Sequence, residues 1–118
     1  MAVYVDDVEH RYGRMKMCHM WADTKEEMLE MADRLGIARK WIQQPPKASW
    51  LHFDISKGKR RQAIDAGAIL TDKYGPLLHC ALNLEWPNRH SNILTPQRIA
   101  RIRERDGLMD KYPRQPNV

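Results

Sequence analysis

Two stretches of the chain repeat one order of events, and that order limits the fold more than any other feature. Residues 15–22 (MKMCHMWA) read as a strand, with Met15, Met17, His19 and Trp21 on one face and Lys16, Cys18 and Met20 on the other. Thr24 followed by Glu27 forms a capping-box pattern. Met28, Met31, Ala32 and Leu35 then recur at the spacing of a core-facing helical stripe. Gly36 stands where a left-handed cap would end that helix, predicted over 24–35. The second stretch runs from Trp50 to Thr71. A strand over 50–55 turns His52 and Asp54 to one face and Leu51, Phe53 and Ile55 to the core. Ser56 caps a helix over 57–66, Gly67 closes it, and residues 68–71 form a short strand. A strand, a capped helix, a glycine and an apolar return are the grammar of an α/β fold. The expectation is a small single domain with a short β-sheet, two βα units and a C-terminal helix.

The remaining segments are read more coarsely. Residues 2–6 make a first strand, and the polar, glycine-containing residues 8–14 a loop. Residues 37–49 hold a helical turn or short strand around Trp41, stopped by Pro45 and Pro46. Residues 77–85 read as a strand or a short helix, with an extended segment favoured. Thr95 before Pro96 sets the start of a last helix, 96–106, with Ile99 and Ile102 inward. A chain of 118 residues has room for one domain, expected over 1–109 with a flexible polar tail over 110–118. No apolar run reaches the length of a membrane span, and the start lacks the basic and apolar regions of a secretory leader. Cys18 and Cys80 lie in apolar surroundings outside any CxxC pair, which predicts buried free thiols in a reducing cytoplasm.

Charge is unevenly spread. Residues 1–33 carry four basic and eight acidic residues, and residues 34–118 sixteen basic and seven acidic ones. A basic surface attracts polyanions, so DNA, RNA or a nucleotide is the expected partner class.

Acids and histidines fall at strand ends: Asp6 and Asp7 after the first strand, His19 and Asp23 around the end of the second, His52 and Asp54 in the third. If neighbouring strands run parallel, these residues meet at one rim of the sheet. One reading is a divalent-metal site, for magnesium, manganese or zinc, with Asp6, Asp7 and Asp54 as ligands. His19 and His52 then serve as ligand or general base, since imidazole titrates near neutrality. Such a site activates water against a phosphodiester. A second reading is a metal-free acid–base site made of the same residues. A third is purely structural, with Asp23 capping the following helix, His19 satisfied within the sheet, and Asp6 and Asp7 serving turns. No HExxH, Walker or dinucleotide-binding glycine motif decides among them.

Lys57, Lys59, Arg60 and Arg61 crowd the start of the second helix, where the macrodipole disfavours cations unless an anion is bound nearby. Arg98, Arg101 and Arg105 share one face of the last helix, with Arg89 and His90 upstream. Both groups are candidates for phosphate or nucleic-acid binding; a solvated charge run is the alternative. Trp41, Trp50, Trp86 and Tyr74 are candidates for stacking or for packing.

The stretches Val3–Asp7, Gly13–Met15, Met17–Met20 with Ala22–Asp23, His52 with Asp54–Ser56, Lys59–Arg60 and Ala66–Ala68 resemble a family of small uncharacterised proteins. These are domain-of-unknown-function proteins of bacteriophage and bacterial genomes, and the resemblance spans about residues 1–71. It implies a cytoplasmic protein, in the host cytoplasm if phage-encoded, and supplies no catalytic roles. The leading expectation is a nucleic-acid-associated protein with metal-dependent phosphodiester hydrolysis. The alternatives are an enzyme acting on a nucleotide or phosphorylated small molecule, and a non-catalytic factor that binds a protein.

Overall fold

The structure is a computed structural model, and it describes residues 2–89 and 94–112. His90 and the part of the expected tail beyond residue 112 lie outside the described residues.

The sheet is organised around one long strand. β1 (Val3–Asp6) and β2 (His10–Tyr12) both pair antiparallel with β3 (Met15–Ala22), β1 along its end and β2 along its start. β4 (Phe53–Ser56) pairs antiparallel with the other edge of β3. β5 (Ile69–Thr71) lies parallel to β1. The fold is α/β, with a mixed sheet in place of parallel neighbours.

β2 corrects the expectation of a loop over 8–14. Tyr12 pairs with Met15 across the two-residue link Gly13–Arg14, and Gly13 has φ 61°. Glycine at the first central position is the demand of a type II′ turn, whose twist matches that of paired strands. A β1–β2–β3 hairpin is thereby closed, interrupted between Asp6 and His10.

α1 (Lys25–Leu35) forms as its sequence predicts. Thr24 accepts from the Glu27 N–H, Gly36 ends the helix at φ 75°, and Met28, Met31, Ala32 and Leu35 are buried. α2 (Lys57–Asp65) begins on Ser56, whose hydroxyl accepts from the Lys59 N–H. Both helices pack on β3. The sheet face bearing Val5, Cys18, Met20, Phe53 and Ile55 is at most 1% exposed.

Of the two readings of residues 77–85, the favoured extended one is corrected: residues 77–82 are helical, within α3 (Gly75–Leu82). Pro76 supplies a preset φ and no wasted N–H in the first turn, so it opens a helix where it would weaken a central strand. Gly75 touches down on β5, where an added Cβ would collide with the Thr71 side chain and press on Trp21. α3 therefore covers the sheet face that carries Tyr4, Trp21 and Thr71. α4 (Pro96–Arg105) starts on Thr95 and buries Ile99 and Arg103, while Ile102 is half-buried. Arg103 donates to the buried Asp72 carboxylate at 3.0 Å. Residues 39–41 form a single 3-10 turn. No helix among the described residues is long and apolar enough to cross a membrane.

Candidate metal centre

The register of β3 with its neighbours assembles the site. His19 lies directly opposite Asp54 of β4. On the other edge Val5 is opposite Met20, so one step further brings Asp6 opposite His19. Side chains directly opposite one another share a face of the sheet. Asp6, His19 and Asp54 thus form a row across three strands. Their meeting place is the sheet face and not the rim that parallel strands would have offered.

Asp6 is fully buried. A buried carboxylate must be matched by donors, and His19 supplies two: its backbone N–H at 3.0 Å and its ring Nδ1 at 2.6 Å. This fixes the proton of a neutral His19 on Nδ1 and leaves the Nε2 lone pair turned toward Asp54, 3.9 Å from Oδ1. Burial alone would lower the pKa of His19. The hydrogen bond to Asp6 and the charges of Asp6 and Asp54 outweigh it, so the net shift is upward.

His52 approaches the same oxygen of Asp54 as His19 does. Its ring is stacked on Trp50, with centroids 4.3 Å apart, and its Nδ1 lies 2.9 Å from the Trp50 carbonyl. A carbonyl only accepts, so Nδ1 carries a proton, and Nε2 faces Asp54 Oδ1 at 3.3 Å. In neutral His52 that is a lone pair against a carboxylate oxygen, an arrangement that a proton or a cation between them resolves. With a proton on His52 Nε2, the hydrogen bond it donates and the imidazole charges around Asp54 hold that carboxyl below its ordinary value, against the opposing effect of burial.

His10 completes the group. It sits on β2 opposite Met17, and its ring centroid is 5.2 Å from that of His19. Donor atoms of His10, His19 and Asp54 all lie within 4.8 Å of one another. Atoms bound to one tetrahedral zinc, with bonds of about 2.0–2.1 Å, lie about 3.3 Å apart, so the set would have to draw closer by side-chain movement to hold an ion. Two imidazoles and a carboxylate suit zinc or manganese better than magnesium, which favours oxygen. Asp6 behind His19 is the carboxylate that such ligating histidines commonly carry.

The other candidates fall elsewhere. Asp7 is not brought to this group; its carboxylate meets Lys111 Nζ and the Tyr112 hydroxyl, each at 3.0 Å. Asp23 accepts from the Ala2 N–H and the Tyr4 hydroxyl. Lys57 reaches Glu9 at 3.2 Å. Lys59 donates to the Leu35 carbonyl and so closes the end of α1. Arg60 donates to the carbonyls of Asp6 and Val8, which pins the interruption between β1 and β2. Arg61 pairs with Asp65 on the exposed side of α2. Arg98, Arg101 and Arg105 are exposed on α4, and Arg105 pairs with Asp106.

Sequence reasoning missed His10, because residues 8–14 looked like a loop. The signal was present as Tyr-Gly-Arg-Met, a two-residue turn with glycine first. It also missed the buried Asp72–Arg103 pair, because charged residues with no local partner read as surface.

No curated protein and no solved structure matches the chain. One family model does, over residues 3–80, and it takes in all of His10, His19, His52 and Asp54. That match spans well over half of the 118 residues, and the chain belongs to the family described as Protein of unknown function (DUF4031).

Proposed function

We propose that this protein is a divalent-metal-dependent phosphodiester hydrolase, with His10, His19 and Asp54 holding the ion and Asp6 orienting His19. One observation carries the reading: His19 and His52 each have Nδ1 committed to a buried acceptor, and both aim Nε2 at the carboxylate of Asp54. Two imidazoles locked in this way at one carboxylate are set for a positive charge.

A bound ion would acidify its water and stabilise charge on a phosphoryl oxygen. His52 suits the role of general base, since the Trp50 carbonyl leaves its Nε2 as the accepting nitrogen. The basic charge of residues 34–118 favours an anionic substrate. Two buried free cysteines favour a reducing, cytoplasmic setting.

The test is thermal unfolding of metal-stripped protein with and without manganese, zinc or magnesium. An ion at a hundred-fold excess over its Kd stabilises by about 2.7 kcal/mol, or roughly 10 °C for a domain of this size. His19→Ala and Asp54→Ala should abolish the rise, and hydrolysis of a phosphodiester should follow the metal that produces it. Absence of any rise with all three metals would overturn the reading.

A further inference from the structure

The centre opens at one end into a groove of about 480 Å³. His10 and Asp54 belong to both the centre and the groove; Tyr12, Met15, Met17 and Trp41 supply most of the remaining lining. Tyr12 is 71% exposed, Trp41 61% and Met15 48%. They account for three of the six large hydrophobic residues left exposed among the described residues. Tyr12 stands beside the tight turn at Gly13–Arg14, opposite Met15, and Trp41 in a single 3-10 turn. Exposed aromatic surface concentrated beside a polar centre marks a contact site.

We infer that this groove takes the bases of a single-stranded polynucleotide, stacked on Tyr12 and Trp41, and so presents the adjoining phosphate at His10 and Asp54. The inference rests on the hydrolase reading above and names its substrate. The charges fit. Arg11 lines the groove, and Lys40 Nζ lies 5.1 Å from the centre of the Trp41 ring. The acid among the lining residues is Asp54, which an ion would neutralise. An occupant that is flat, aromatic and anionic satisfies all three features, and a polynucleotide alternates the two chemistries along its length. Aromatic side chains bind bases through their faces, which a duplex keeps stacked inside and a single strand exposes.

The experiment is fluorescence anisotropy of an end-labelled ten-nucleotide oligothymidylate and of a hairpin duplex. Each is titrated with the full chain in EDTA and in manganese. Wild-type protein should bind the single strand at least ten-fold more tightly than the duplex. Tyr12→Ala and Trp41→Ala should each weaken single-strand binding roughly ten-fold, as loss of one stacking side chain does. Both residues are exposed, so both variants should fold and keep the metal-dependent rise in Tm. Equal binding of duplex and single strand, unchanged affinity in both variants, or competition by thymidine monophosphate as effective as by the decamer would each overturn the inference. The EDTA titration reads the groove directly. Loss of the metal response with retained single-strand stacking would defeat the hydrolase reading alone, and a metal response without stacking would defeat this one alone.

Discussion

Replacing Asp6 with asparagine removes one charge and exchanges one acceptor atom for a donor, in a side chain with no access to water. The aspartate accepts from two His19 groups, the backbone N–H and ring Nδ1. An asparagine has one accepting oxygen, so its amide must face one of those two donors. If the amide faces the ring, His19 relieves the clash by moving its proton to Nε2, the atom with which it would hold the proposed ion. Loss of a charge-assisted bond costs about 1.5–3 kcal/mol of fold stability. Loss of a carboxylate behind a ligating histidine weakens metal binding about 10–100-fold, or about 1.4–2.7 kcal/mol. The two effects separate experimentally. Tm in EDTA reads the first, and the further rise in Tm with manganese or zinc reads the second. Asp6→Asn should lower both quantities, and Asp54→Asn chiefly the second. An Asp6→Asn protein that folds and binds metal like wild type would refute the claim that Asp6 sets the tautomer of His19.

Three further outcomes are expected. His79 is 5% exposed, and burial pushes its pKa down to about 4, against about 6.5 in the unfolded chain. Below pH 6.5 the unfolded state takes up a proton that the native state refuses, so stability should fall from pH 6.5 to 4 by up to ~3 kcal/mol. Urea unfolding of wild type and His79→Leu at pH 7 and 4.5 isolates that loss. Arg103→Met should destabilise by about 3–5 kcal/mol, since it leaves the buried Asp72 carboxylate without its counter-charge, with the Tyr74 N–H still donating to it; Asp72→Asn in the same background should recover part of it in chemical denaturation. Gly13→Val puts a β-branched residue at φ 61° in the hairpin turn. It should cost at least ~1 kcal/mol and weaken the metal response by displacing His10, whereas Gly36→Ala, at φ 75° beyond α1, should lower Tm and spare that response.

Much of the fold was legible because its signals are local. Thr24 with Glu27, Ser56, Thr95 with Pro96, and Gly36 each act within one helical turn, and three helices begin where these residues predict. Strand alternation likewise put His52 with Asp54, and His19 with Trp21, on common faces before any pairing was known. The same alternation explains why Asp6 and Asp7 part company: neighbours on an extended chain point to opposite sides, and Asp7 leaves for Lys111 and Tyr112. For α3 the sequence leaves two answers, because an apolar run of that length suits either a buried strand or a short helix, and its contacts with β5 and the face bearing Trp21 decide between them.

Which of the candidate residues meet was decided by tertiary structure alone. That β3 pairs antiparallel on both edges, with Asp6 on one side of His19 and Asp54 on the other, depends on residues 13 to 35 positions apart in sequence meeting in register. His10 joins them only through the turn at Gly13, and Lys59 and Arg60 are drawn from a charge run into caps for backbone carbonyls. Cap and strand preferences are short-range energies that each segment carries with it. Which strands pair, and in what register, is settled by the burial of a whole face at once, and no segment contains that information by itself.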